Sequence, residues 1–82
     1  MHKIPRDITG NELCKLLGRF GYAVTRQTGS HIRLTAQQPA QVHHITIPDH
    51  DPIKIGTLNK ILHDIAAFQK ISKEQLVQQL WG

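Results

Sequence analysis

The sequence predicts an α+β fold with the element order helix, three strands, helix, followed by a short C-terminal helix. Two segments have the apolar spacing of amphipathic helices, and the stretch between them alternates apolar and polar residues as half-buried strands do. Both helices need an apolar surface to cover, and a sheet with one apolar face provides it. We therefore expect a three-stranded antiparallel sheet that carries both main helices on one face and leaves the other face open.

The first helix is predicted by its start and stop signals. Thr9 and Glu12 form a capping box, and Ile8 with Leu13 forms a hydrophobic staple around it. Gly21 supplies the stop. The apolar residues that repeat at helical spacing in between are Leu13, Leu16, Leu17 and Phe20. This stripe is expected to pack on the sheet.

Three strands are predicted in the middle of the chain. They cover residues 22–27, 31–35 and 42–47, with a turn at 28–30 and a loop at 36–41. Gly29 favours a tight turn, and Pro39 within a polar segment favours the loop.

Alternation along these strands separates an apolar face from a polar one. The apolar face is predicted to carry Ile32, Leu34, Ile45 and Ile47. The polar face is predicted to carry His31, Arg33 and Thr35 from the second strand, and His44 and Thr46 from the third. Arg26 faces either side, depending on a register that the pattern leaves open. An imidazole that exchanges protons near neutral pH is therefore expected beside a fixed cation on an open sheet surface.

A second amphipathic helix is expected from about Gly56, after a connection over residues 48–52 that two prolines stiffen. Ser72 with Gln75 repeats the capping-box pattern before the short third helix. The chain is thus predicted to form a single domain over residues 1–82. Its core covers about residues 4–71, and a C-terminal helical extension covers residues 72–82.

Composition limits the classes of function. Of the 82 residues 39% are hydrophobic, which suffices for one compact core, and no apolar run is long enough to span a bilayer. The chain does not begin with a signal segment, and its single cysteine, Cys14, rules out an internal disulfide. We expect a cytoplasmic protein with no membrane association.

The net charge of +4 is concentrated in one stretch of the sequence. No acidic residue lies between Leu13 and Pro48, whereas the rest of the chain has six basic and six acidic residues. The basic residues of this stretch are Lys15, Arg19, Arg26 and Arg33. Such localisation favours an acidic partner, either nucleic acid or an acidic protein surface.

Several short motifs follow one another in a specific order between about Ile4 and Ile71. They are Ile4-Pro5, Gly21-Tyr22, Arg26 with Gly29-Ser30-His31, Ile47-Pro48 with His50, and Gly56-Thr57-Leu58. In these motifs the chain resembles the HicA-type toxins, the ribonuclease half of toxin–antitoxin pairs. The resemblance implies a double-stranded-RNA-binding-like fold, cleavage of messenger RNA, inhibition by a HicB-type antitoxin, and a catalytic role for His31. Residues 36–41 and 72–82 do not match the pattern.

The chemistry expected of His31 is proton transfer. RNA carries its own nucleophile, the 2′-hydroxyl, so an enzyme needs only to move protons and stabilise charge on phosphorus. We therefore expect metal-independent transesterification that yields a 2′,3′-cyclic phosphate and a 5′-hydroxyl, without a cofactor. The residues expected to bind phosphate are Arg26, Gly29, Ser30, Arg33 and Lys54.

Other sites receive less support from the sequence. His44 and His50 are candidates for an auxiliary proton-transfer group, although a structural or merely solvated role fits each of them better. The histidines and aspartates of residues 43–51 lack metal-ligand spacing, and His43 and His44 are expected on opposite faces of a strand. Ser30 has no acidic residue nearby in sequence to orient a histidine base, and Cys14 lies among leucines, so neither is a convincing nucleophile.

Two other functions fit the same pattern. Considered by itself, His31 could equally be an ordinary polar residue on a strand. In that case the chain is a non-catalytic RNA-binding module with the same fold. A third interpretation is an interaction subunit whose basic face docks an acidic protein. The resemblance favours the ribonuclease.

Overall fold

The computed structural model describes residues 4–82; the first three residues of the predicted domain, 1–3, lie outside the described part. The elements are α1 (Gly10–Leu17), β1 (Tyr22–Thr28), β2 (His31–Gln38), β3 (Gln41–Pro48), α2 (Ile55–Gln69) and α3 (Lys73–Trp81). The three strands form one antiparallel sheet in the order β1-β2-β3. The predicted α+β fold is therefore confirmed.

Both predicted capping boxes are present. At α1 the Glu12 N–H donates to Thr9 Oγ1 over 3.2 Å, and the Thr9 N–H donates to Glu12 Oε1 over 3.3 Å. The same reciprocal pair joins Ser72 and Gln75 at α3. A 3₁₀ turn over Gly18–Phe20 follows α1, and Gly21 ends it with a φ of 84°, a left-handed conformation that glycine adopts at little cost.

The strands are longer than the sequence predicts. Residues 36–41 are not a loop: Ala36, Gln37 and Gln38 continue β2 and pair with His43, Val42 and Gln41 of β3. Only Pro39 and Ala40 form the turn. The loop prediction was wrong because Pro39 was taken to disrupt a whole segment, whereas it occupies a turn position where no ladder hydrogen bond is needed.

The helices pack on one face of the sheet. Leu13 and Leu17 of α1 are fully buried, and so is Leu58 of α2, in one core with the apolar sheet residues. The buried residues of the sheet are Tyr22, Ile32, Leu34, Ala36, Ile45 and Ile47. On the other face His31, Arg33, His44 and Thr46 are exposed. The two predicted faces are thus confirmed.

The C-terminal extension is part of this core. Leu76, Val77 and Leu80 of α3 are buried in it. Two hydrogen bonds also hold α3 in place. Lys73 Nζ donates to Asn59 Oδ1 over 2.6 Å, and Arg19 donates to the Gln79 carbonyl over 3.3 Å. Within residues 4–82 no helix combines the length and apolar content that crossing a membrane requires.

Candidate functional site

His31 begins β2 directly after the two-residue turn formed by Gly29 and Ser30. Thr28 and His31 pair across this turn. Gly29 has a φ of 57°, which suits the first central position of a type II′ hairpin turn. The turn therefore places the exposed imidazole of His31 at one end of the sheet, on the face that no helix covers.

A β-bulge aligns two arginines beside His31. The register of β1 against β2 shifts between Val24 and Arg26, so that Thr25 is the extra residue. Arg26 then lies directly opposite Arg33, which places both on the open face. The bulge settles which way Arg26 faces. Because no Asp or Glu occurs from Leu13 to Pro48, the sheet supplies no carboxylate to neutralise this pair.

Three segments meet at the His31 end of the sheet. Pro48 lies opposite His31, and the next residue, Asp49, donates its N–H to the Ser30 carbonyl over 2.7 Å. The carbonyl of His50 accepts a hydrogen bond from the Gly10 N–H over 3.0 Å. The start of α1 therefore holds the backbone of His50 two residues beyond the residue opposite His31.

His44 lies in the middle of the open face, at the fourth position of β3. It pairs with Thr35, and its Nδ1 lies 2.9 Å from Thr35 Oγ1. His44 lies four positions before Pro48 in β3, so a rise of about 3.3 Å per residue puts it about 13 Å along the strand from His31. The two histidines do not reach the same phosphate.

His43 points to the helix side, as predicted. Its ring stacks on Phe68 with centroids 4.7 Å apart, and its Nδ1 lies 2.6 Å from the Tyr22 hydroxyl. Burial lowers the pKa of His43 below its ordinary value of 6.5; Asp64 opposes this shift and the neighbouring His44 adds to it. The neutral ring and the Tyr22 hydroxyl share one hydrogen bond. Within the described chain no three His, Cys, Asp or Glu side chains are arranged to hold a metal ion.

The remaining predicted residues lie at the edge of the site or away from it. Lys54 is the exposed N-cap of α2 and makes no side-chain capping hydrogen bond, six residues after Pro48. Cys14 is half-buried against the core, and burial with the charge of Asp49 raises the pKa of its thiol. A thiol with a raised pKa is a poor nucleophile.

The sequence analysis did not single out Thr25. Its hydroxyl lies 2.9 Å from that of Thr35, so it belongs to the open face next to Arg26. Strict alternation would put neighbouring residues on opposite faces, and only the bulge brings both to one side. No residue type in Val24-Thr25-Arg26 signals that bulge.

The fold and the site together define a class of protein: an α+β protein whose sheet has an uncovered, cationic face. The family described as the HicA toxin of bacterial toxin–antitoxin systems matches residues 10–66, well over half of the chain. The chain belongs to the HicA toxin family, which is known for RNA-cleaving toxins, and membership implies a partner antitoxin. No curated protein and no solved structure matches the chain.

Proposed function

We propose that this protein is a toxin that cleaves messenger RNA without a metal ion, with His31 as its general acid–base. One observation carries the proposal: the open sheet face groups an exposed imidazole with two directly opposed arginines and contains no carboxylate. Imidazole moves protons near neutral pH, and paired guanidinium groups suit a phosphate that gains charge during the reaction.

The reaction proposed is an internal transfer at phosphorus. The 2′-oxygen of the nucleotide attacks the adjacent phosphorus while His31 takes the 2′-hydroxyl proton, and the bond from phosphorus to the 5′-oxygen breaks. The leaving oxygen gains a proton, and the products are a 2′,3′-cyclic phosphate and a 5′-hydroxyl. Arg33 and Arg26 stabilise the negative charge on the phosphoryl oxygens. Ser30 and the amide of Gly29 bind the same phosphate, and Lys54 contacts the RNA backbone.

A second proton-transfer group divides the acid and base roles. His50 fits this role better than His44, because its backbone is held two residues beyond Pro48, which lies opposite His31. His44 lies too far along β3 to reach the same phosphate. We therefore assign the auxiliary role to His50.

The partner proposed is a HicB-type antitoxin. A protein that blocks RNA from the open face has to cover two exposed arginines, and an acidic surface complements them. Such a complex masks His31 and silences the toxin by occlusion.

The test is cleavage of a long single-stranded RNA by the purified protein in excess EDTA. We expect cleavage with 5′-hydroxyl ends, and a loss of at least about a hundredfold in rate for His31→Ala, since general acid–base groups contribute about 10²–10⁴. His63→Ala removes an equally exposed imidazole from α2 and is expected to leave the rate unchanged.

Two results would contradict the proposal. Cleavage that requires magnesium and leaves 5′-phosphates would mean a metal-dependent reaction. Binding of RNA by the wild type and by His31→Ala, without cleavage by either, would favour the non-catalytic RNA-binding module.

A further inference from the structure

A row of hydrogen-bonded side chains crosses the middle of the open face, away from His31. Thr25 Oγ1 lies 3.4 Å from the Arg33 carbonyl oxygen and 2.9 Å from Thr35 Oγ1. Thr35 Oγ1 in turn lies 2.9 Å from Nδ1 of His44. The row therefore connects all three strands and ends on an exposed imidazole.

One arrangement of protons satisfies all three contacts without sharing a proton between two acceptors. A carbonyl oxygen only accepts, so the single hydroxyl proton of Thr25 goes to Arg33. Thr25 then accepts from Thr35, whose own proton is used in that bond, and Thr35 can only accept from His44. This requires a proton on Nδ1 of His44. In the neutral ring, Nε2 consequently carries a lone pair and no proton.

The row fixes the orientation of the His44 ring but adds little to the stability of the fold. Exposed hydroxyl and imidazole groups are solvated equally well by water, so their mutual hydrogen bonds contribute little net stability. What the row does provide is a fixed ring orientation with an acceptor nitrogen left free. That acceptor lies on the same face as Arg26 and Arg33, which attract an RNA strand under the proposed function.

We propose that His44 forms a second RNA subsite, in which Nε2 accepts a hydrogen bond from a nucleotide other than the one that is cut. Thr35 and Thr25 act as positioning residues for it. The inference rests on the proposed function in so far as the ligand is RNA. The separation of about 13 Å from His31 corresponds to up to about four nucleotides of a stacked strand, at about 3.4 Å each. The donor is a 2′-hydroxyl or a base N–H, and the experiment distinguishes them.

The first measurement tests the row without any RNA. Nitrogen-15 NMR of the imidazoles at a pH where the ring is neutral reports which nitrogen carries the proton. We expect His44 to be protonated at Nδ1 in the wild type, and to shift toward Nε2 in Thr35→Val. Thr46→Val removes another exposed hydroxyl from the same face and is expected to leave the His44 spectrum unchanged. A wild-type His44 protonated at Nε2 would overturn the row.

The second measurement tests the subsite, with His31→Ala as the background so that RNA is not consumed. We expect His44→Ala and Thr35→Val each to weaken binding of a single-stranded RNA by roughly two- to tenfold, the usual effect of one hydrogen bond. His63→Ala is expected to change nothing. If DNA of the same sequence binds without any dependence on His44, the donor is the 2′-hydroxyl; if the dependence persists, the donor is on the base.

These outcomes separate the subsite from the nuclease. If the wild type cuts RNA but the His44 and Thr35 variants bind it normally, the subsite is wrong and the proposed function stands. If His44 matters for binding but no variant cuts RNA, the subsite stands and the nuclease is wrong. If RNA does not bind at all, both are wrong.

Discussion

At the scale of single residues, the pairing of Arg26 with Arg33 is the least expected contact in the sheet. Like charges directly opposite each other on neighbouring strands destabilise a sheet. No carboxylate between Leu13 and Pro48 offsets the repulsion. An anion lying over the pair would remove this cost, which supports the proposed role of the two arginines in binding phosphate.

The first prediction follows from this repulsion. Arg26→Thr is expected to raise the free energy of unfolding by about 0.2–1 kcal/mol, because it relieves the repulsion across β1 and β2. The same variant is expected to bind RNA more weakly. Denaturant titration and RNA binding measure the two effects, and Gln27→Thr controls for the strand preference of threonine. A less stable Arg26→Thr variant would contradict the argument.

His43 makes stability depend on pH. Its pKa in the folded protein lies below the ordinary value of 6.5, mainly because burial disfavours the charged ring. The unfolded chain therefore takes up this proton first as the pH falls. The stability that the neutral ring contributes is fully present above about pH 6.5 and is lost as the pH drops through the lower, folded pKa.

The second prediction tests this dependence. The free energy of unfolding of the wild type is expected to decline between pH 7 and pH 5. His43→Gln keeps an acceptor for the Tyr22 hydroxyl but does not titrate, and its decline is expected to be smaller. His63→Gln, at an exposed position, serves as the control and should follow the wild type. An identical slope for His43→Gln would show that other groups cause the decline.

At the scale of elements, α1 is pressed against the end of β3. A Cβ atom added at Gly10 would clash with the Pro48 carbonyl oxygen, so only glycine permits this approach. Backbone hydrogen bonds from Gly10 to His50 and from Asp49 to Ser30 complete the junction. The helix thereby supports the segment that carries His50.

The third prediction compares two glycines at the two ends of α1. Gly10→Ala is expected to destabilise the protein by about 1–3 kcal/mol through overpacking, and to lower nuclease activity by displacing His50. Gly18 has open space around it and an ordinary helical φ. Gly18→Ala should therefore be neutral or stabilise the protein by up to about 1 kcal/mol. Thermal unfolding and cleavage assays report both. Equal effects of the two substitutions would argue against the close contact.

The starts of α1 and α3 were predictable, whereas the extension of β2 and the bulge in β1 were not. Thr9 with Glu12, and Ser72 with Gln75, form local hydrogen bonds whose residue types appear in the sequence. The extension of β2 over Ala36–Gln38 depends on pairing with β3, a contact between segments that the composition of the strand does not show. The bulge at Thr25 likewise depends on a contact between segments, the pairing of β1 with β2. The alternation of His31 and Arg33 was predictable because it needs only the two-residue period of a strand.

At the scale of the whole molecule, the basic stretch of the sequence is divided between two sides. Arg26 and Arg33 lie on the open face, whereas Lys15 and Arg19 belong to α1 and its 3₁₀ turn on the helix side. The contiguous charge along the chain therefore does not form one patch. Which cations share one surface follows from the layers of the fold and could not be deduced from the charge pattern.

The fourth prediction uses this division. For single-stranded nucleic acid the logarithm of affinity falls with the logarithm of salt by about 0.7 for each phosphate neutralised. Replacing Arg26 and Arg33 with Gln is expected to reduce that slope by about 1.4, whereas replacing Lys15 and Lys60 on the helices should leave it unchanged. Binding of RNA by both double variants over a range of salt measures the difference. Equal slopes would place the RNA elsewhere.

The two hairpins of the sheet point in opposite directions. The turn at Gly29 and Ser30 borders His31, and the turn at Pro39 and Ala40 lies at the far end, where β2 and β3 extend past the core. The first turn sets the position of His31, the proposed general acid–base, so changes there would displace it. The second is a natural place to graft a peptide tag or a fluorescent reporter, since added residues there are remote from His31. A tag at this turn would allow the active toxin to be purified and followed without altering the end of the sheet that carries His31.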